Sequence, residues 1–226
     1  MKVSEIRTKV YVVECKTRFD LCSTFMRMQE FYESPFKEIR GQYFSHEECI
    51  DHYAKHNPTK KNSGKFTYFD DWSGFNIPGD VFVEWWCVFK DRWNKEERVG
   101  RLIEEMNGDF GINTRFYVIG VFEKDKHKNG TIKHELAHAY WYIYPEYQNA
   151  MKKFMRKLDP KLKKLIKTGL KAMGYNRSVH ADEMHAYLVT SPKSYMKKWF
   201  KVDNDFELPK EMVSYFKEFD KEQKER

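Results

Sequence analysis

The stretch Thr131–Tyr140, TIKHELAHAY, decides how this chain is read. It contains His134, Glu135 and His138, the pattern H-E-x-x-H. At 3.6 residues per turn, positions four apart leave a helix on the same face, one turn from each other. Two imidazoles so placed can share one metal ion. Glu135 falls beside them, where it can reach a water on that ion without itself being a ligand. A helix must carry these residues, and Pro145 sets its end near Tyr144, because proline clashes with a continuing helix.

The flanks carry more information than the three polar residues do. The stretch resembles the active-site helix of the zincin metallopeptidases, in which the two positions between Glu and the second His are uncharged. Here they are Leu136 and Ala137. Thr131, Ile132, Ala139 and Tyr140 are also uncharged, and Lys133 falls on the one free position. The resemblance implies a zinc ion held by His134 and His138. It implies Glu135 as the general base and hydrolysis of a peptide bond through a metal-activated water.

Catalytic zinc usually has three protein ligands and one open position. Downstream candidates lie on a helix expected over about Val179–Thr190, VHADEMHAYLVT: His180, Asp182, Glu183 and His185. The metzincin pattern requires a Gly three residues after the second His. Trp141 stands there, so that branch is excluded. In gluzincins a Glu on a separate downstream helix completes the site. Glu183, 45 residues after His138, fits that layout and is the expected third ligand, with Asp182 and His185 as alternatives. Many gluzincins place an Asp four residues after the ligand Glu to orient a zinc-bound His. Tyr187 stands there instead, so Tyr187 or Asp182 is expected to orient an imidazole. Related enzymes stabilise the oxyanion with a Tyr or His, which makes His180 and Tyr187 the catalytic candidates besides Glu135.

The chain has 226 residues, 41% hydrophobic and 17% aromatic, enough for a packed core. No apolar run approaches the ~18 residues of a membrane-spanning helix, and MKVSEIRTK does not read as a signal peptide. A cytoplasmic protein is expected. Cys15, Cys22, Cys49 and Cys87 show no C-x-x-C spacing and read as reduced, buried thiols. The net charge is +7, and residues 151–171 hold nine Lys or Arg against the single acid Asp159. That region reads as a solvated helix face, and nucleic acid, anionic lipid or an acidic protein are the partners it could attract.

Along the chain, Lys9–Glu14 reads as a strand and Arg18–Tyr32 as a helix. Ser45-His46-Glu47-Glu48 is a capping-box signature opening a helix to about Lys55. His46, His52 and His56 on it read as a solvated face rather than a metal site. Residues 57–64 form a loop. Phe66–Gly79 is an aromatic, turn-rich segment that could line a cleft for side chains or sugars, and reads more simply as a loop packing its rings into the core. Val81–Phe89 is a buried strand or a helix start, and Asn94–Met106 an amphipathic helix stopped at Asn107-Gly108. Arg115–Glu123 reads as a strand. By the resemblance it is the edge strand that pairs with a peptide substrate. A polar loop with a turn at Asn129-Gly130 then leads to Thr131 as N-cap. Helices follow over Pro145–Leu158, from Asp159-Pro160 to about Met173 with Gly174 as its stop, from Ser178, from Ser191-Pro192, and over Pro209–Phe219. The tail KEQKER is expected to fray.

The expected fold class is α+β. A small mixed or antiparallel N-terminal sheet with helices comes first, then the active-site helix, then an all-helical C-terminal half. Residues 1–110 form a region without a recognised family, and residues 111–226 carry the zincin resemblance as part of the same compact unit. The β-containing and all-helical halves meet near residue 130. A second functional class is a catalytically inactive zincin-like binding or regulatory module, possible in association with nucleic acid. It would bind metal without turnover, and the presence of Glu135 argues against it.

Overall fold

A computed structural model describes residues 1–57, 63–72, 74–108, 115–173, 175, 177–203 and 205–225. The fold is α+β, with one four-stranded mixed sheet and helices over most of the remaining length. The chain divides into two compact units, Met1–Lys128 and Asn129–Arg226. Among the described residues no helix is long and apolar enough to cross a membrane. The expected stop at Gly174 and most of the 57–64 loop lie outside the described residues.

The first unit is built on the sheet. Its strands are β1 (Lys2–Arg7), β2 (Val10–Cys15), β3 (Gly74–Pro78) and β4 (Tyr117–Phe122), in the order β1-β2-β4-β3. β2 and β4 run parallel, with Val10 opposite Tyr117, and the two outer pairs are antiparallel. The central strands are apolar on both faces, as YVVEC and YVIGVF require when both faces are covered. The helices between β2 and β4 are α1 (Arg18–Glu33), α2 (His46–Lys55), α3 (Tyr68–Asp71), α4 (Gly79–Val88) and α5 (Asn94–Asn107). α1 lies across the sheet, and its Phe25 stacks on Phe75 of β3. Gly120 of β4 is what admits Phe25, because a Cβ there would come within 2.5 Å of the ring.

Three expectations for this unit need correction. β4 is paired on both sides, to β2 and to β3, so it is not an edge strand and has no free ladder for a substrate peptide. The flanking strands have weak sequence signals. KVSEIR of β1 is half-exposed and charged, and GFNIP of β3 ends in proline, which an edge strand tolerates. The Val81–Phe89 ambiguity resolves as helix α4. His46 is buried rather than solvated, stacking on Trp93 at 3.4 Å between ring centroids. Cys15, Cys22 and Cys49 are buried free thiols as expected, but Cys87 is exposed.

The second unit is all-helical: α6 (Lys128–Ile143, starting at the last residue of the first unit), α7 (Pro145–Lys157), α8 (Pro160–Ala172), α9 (His180–Thr190), α10 (Lys193–Phe200) and α11 (Lys210–Glu225). Sequence punctuation explains most of the boundaries. Pro145 and Pro160 sit at first-turn positions, where their missing N–H costs nothing, and Asp159 accepts a hydrogen bond from the Lys161 amide as the cap of α8. α9 is the buried core helix. Every residue from Glu183 to Val189 is buried, and α7, α8 and α11 pack around it.

Two ends differ from expectation. α6 begins at Lys128, so Asn129 and Gly130 lie in its first turn and Thr131 is not the cap. The chain entering it is turned by Asp125, whose carboxylate accepts from the His127 amide at 2.8 Å. α11 continues through the polar tail to Glu225. It does so because Gln223 is buried and accepts a hydrogen bond from the Tyr144 hydroxyl at 2.8 Å, while Asp220 accepts from Tyr140 at 2.7 Å.

Candidate metal centre

Within the second unit, α6 and α9 bring three ligand-type side chains together. His134, His138 and Glu183 each offer one atom to a common point, and these atoms all lie within 4.8 Å of one another. The Nε2 atoms of His134 and His138 are 3.3 Å apart. Glu183 Oε1 is 3.6 Å from His138 Nε2, and Oε2 is 3.8 Å from His134 Nε2. A tetrahedral ion with bonds of about 2.0–2.1 Å separates its ligands by about 3.3 Å, so the three atoms are spaced much as such a site requires.

The proton positions follow from the partners behind each ring. Thr190 Oγ1 lies 3.1 Å from His134 Nδ1 and gives its own proton to the Ala186 carbonyl at 2.6 Å. It can therefore only accept from His134, which puts the proton on Nδ1 and a lone pair on Nε2. Asp182 Oδ1 lies 2.9 Å from His138 Nδ1 and favours the proton there by its charge. The two Nε2 atoms then face one point at 3.3 Å, an arrangement that repels unless a proton or a metal cation stands between them.

Two carboxylate oxygens make the same case. Glu135 Oε2 and Glu183 Oε2 are buried and accept no hydrogen bond among the described residues; Asp182 Oδ1, also buried, meets His138 as an ion pair rather than through a well-aligned hydrogen bond. Buried acceptors are almost always satisfied, and an orphaned pair beside two facing imidazoles fits a positive ion and its water. The residues present therefore fit a metal.

The electrostatics are those of a buried negative site. Burial pushes the Glu135 carboxyl above the usual carboxylate range, with His134 and His138 pulling the other way. Burial opposes a charged His138, but Asp182 and Glu183 outweigh it and hold its pKa well above the ordinary imidazole value. Asp182 is itself lowered to about 2. Burial acts against that shift, and His138 together with His185 overcomes it. The group thus stabilises one positive charge at the point where the ligands meet.

The other residues singled out from the sequence fall into place around this group. Asp182 stands behind His138, occupying from one residue before Glu183 the role that the Tyr187 position lacks. His185 is fully buried and turned away: Nδ1 is 3.0 Å from the Asp182 carbonyl and Nε2 is 3.0 Å from the Tyr147 hydroxyl. Since Nδ1 faces two acceptors, Nε2 is the acceptor for Tyr147, and burial lowers the pKa of the ring so that it stays neutral. Trp141 stacks on its other side at 5.0 Å. Tyr187 packs its ring on His134 at 4.7 Å, and its hydroxyl meets that of Tyr175 at 3.1 Å. His180 is spent on the Tyr175 carbonyl, 3.0 Å from Nε2, and is not one of the three converging side chains.

Sequence reasoning missed Thr190, Tyr147 and Trp141. Thr190 lies seven residues after Glu183, two helical turns along the same face, a spacing that could have suggested it. Tyr147 and Trp141 carry no such local signal. His52 and His56 do not join a metal-binding group among the described residues.

No family model matches this chain, and neither a curated protein nor a solved structure matches it.

Proposed function

We propose that this protein is a zinc-dependent metallopeptidase that uses His134, His138 and Glu183 as metal ligands and Glu135 as general base. The observation that carries the reading is the convergence of the two Nε2 atoms and the Glu183 carboxylate, with the buried, unsatisfied Oε2 of Glu135 on the residue next to His134. Two nitrogens and one carboxylate form a donor set suited to zinc, and with three ligands a fourth position remains open.

When bound, zinc supplies Lewis acidity and brings a water within reach of deprotonation near neutral pH. The rest falls to the chain. Glu135 accepts that proton at its carboxylate and, with a pKa raised by burial, delivers it to the leaving amine. Asp182 and Thr190 hold the imidazoles in the tautomer that presents Nε2. Tyr187 and His180 are the candidates for stabilising the oxyanion. Tyr187 has the stronger claim, since its ring packs against His134 while His180 is engaged with a backbone carbonyl.

The test is Glu135→Gln. It is expected to retain about one zinc per chain while losing peptidase activity on an unstructured protein such as casein by a factor of 100 or more. Undiminished activity in this variant would remove the mechanism.

A further inference from the structure

The sequence of region 151–171 suggests a solvated face, and the structure shows how its charges are used. The cations of α7 and α8 are Lys152, Lys153, Arg156, Lys157, Lys161, Lys163, Lys164, Lys167 and Lys171. Three are occupied by acids or by neighbouring side chains: Lys161 pairs with Asp203 at 2.8 Å, Lys157 approaches Glu211 at 4.0 Å, and Lys152 bonds Gln148 and lies over Trp141. Lys153, Arg156, Lys164, Lys167 and Lys171 are exposed, with no acidic partner among the described residues.

Three of these five share one face of α8. Lys163 Nζ reaches the Arg156 carbonyl at 3.1 Å across the α7–α8 turn, so the end of α7 and the start of α8 present their charge together. On α8, residues 164, 167 and 171 recur at three- and four-residue spacing and form one stripe about 10 Å long at 1.5 Å per residue. The opposite face holds Ile166, Gly169 and Leu170, all buried, with Gly169 against Phe200 of α10. Asp159, the only acid in either the turn or α8, is used in the cap.

We propose that this face binds nucleic acid through its phosphate backbone. A regularly spaced row of unpaired cations, without an acid between them, complements a polyanion of regular spacing. An anionic membrane is the less suitable occupant. An interfacial helix needs a free apolar face, whereas that of α8 is buried in the core and neither α7 nor α8 has an exposed large hydrophobic side chain. The contacts are sequence-independent, since nothing in the stripe is built to read base edges.

The experiment is fluorescence anisotropy of the full chain with a labelled random-sequence DNA duplex, titrated over salt. Binding is expected with a log–log salt slope of about −4 to −5, for about five phosphates neutralised. The triple variant Lys164→Glu/Lys167→Glu/Lys171→Glu is expected to weaken binding at least tenfold with an unchanged melting temperature. A milder Lys164→Gln/Lys167→Gln pair should reduce the slope by about 2 if the reversal variant does not fold. A salt-independent signal, unchanged affinity in the variants, or binding to phosphatidylserine vesicles but not to DNA would overturn the proposal. The Glu135→Gln variant should bind DNA as the wild type does, so the outcome does not depend on the metal site.

Discussion

Asp182 Oδ1 lies 2.9 Å from Nδ1 of His138, on the far side of the ring from the Nε2 that faces His134 and Glu183. The residue that backs this imidazole is thus the immediate neighbour of the third ligand-type side chain, on the same helix. One turn of α9 sets both the carboxylate that faces the two Nε2 atoms and the carboxylate that backs His138.

Replacing Asp182 with Asn removes that charge with little change in shape. Metal affinity is expected to fall 10–100-fold, measured by chelator competition. Thr190→Val removes a neutral partner from the other imidazole and should cost less, about tenfold or below, since a neutral hydrogen bond contributes about 0.5–1.5 kcal/mol. Equal losses in the two variants would argue that the carboxylate has no special part in holding His138.

In the first unit the fully buried Arg27 meets Glu96 through two bonds, Nε to Oε1 at 3.0 Å and Nη2 to Oε2 at 2.7 Å, with Asp91 at 3.2 Å. Glu96→Gln leaves a buried guanidinium short of charge and is expected to destabilise the unit by about 3–5 kcal/mol in urea unfolding. The same pair sets a pH dependence. Burial tends to raise the Glu96 pKa, but His46 and Arg27 overcome it and the folded value is lowered. The pair's contribution is therefore fully present above the unfolded carboxyl value of about 4.3 and is lost as pH falls through the lower folded value. Acid unfolding of Glu96→Gln should lack that component, and an unaltered acid transition would show that Glu96 does not supply it.

Gly120 is a packing requirement of the central strand. A Cβ there would lie 2.5 Å from the Phe25 ring, which is itself stacked on Phe75 and has no room to withdraw. Gly120→Ala is expected to cost about 1–3 kcal/mol, read as a lower urea midpoint. Gly130→Ala, with open space at its Cβ in the first turn of α6, should be neutral or slightly stabilising.

These residues also show what the sequence made legible. Helices α1, α2, α5, α7 and α8 follow from apolar spacing and from punctuation at Ser45, Pro145 and Asp159-Pro160, because caps and periodicity are local signals. The grouping of His134, His138 and Glu183 was expected from a spacing of four on one helix and a family layout for the other. The pairing of β4 is not legible in the sequence because its partners β2 and β3 lie far from it along the chain and GFNIP of β3 is weakly β-like. Arg27 and Glu96, 69 residues apart, carried no sequence signal as a buried pair, and neither did Tyr147 and His185. The end of α11 was misjudged because a polar tail looks solvated until Tyr144 is found bonded to Gln223.

The central claim is that α6 and α9 hold a zinc ion. The direct measurement is an anomalous difference map from crystals of the purified protein, collected on both sides of the zinc absorption edge. The account predicts one peak, present only above the edge, about 2.0–2.2 Å from His134 Nε2, His138 Nε2 and a Glu183 carboxylate oxygen. No peak at this position in zinc-replete protein, or a peak ligated by other residues, would contradict it.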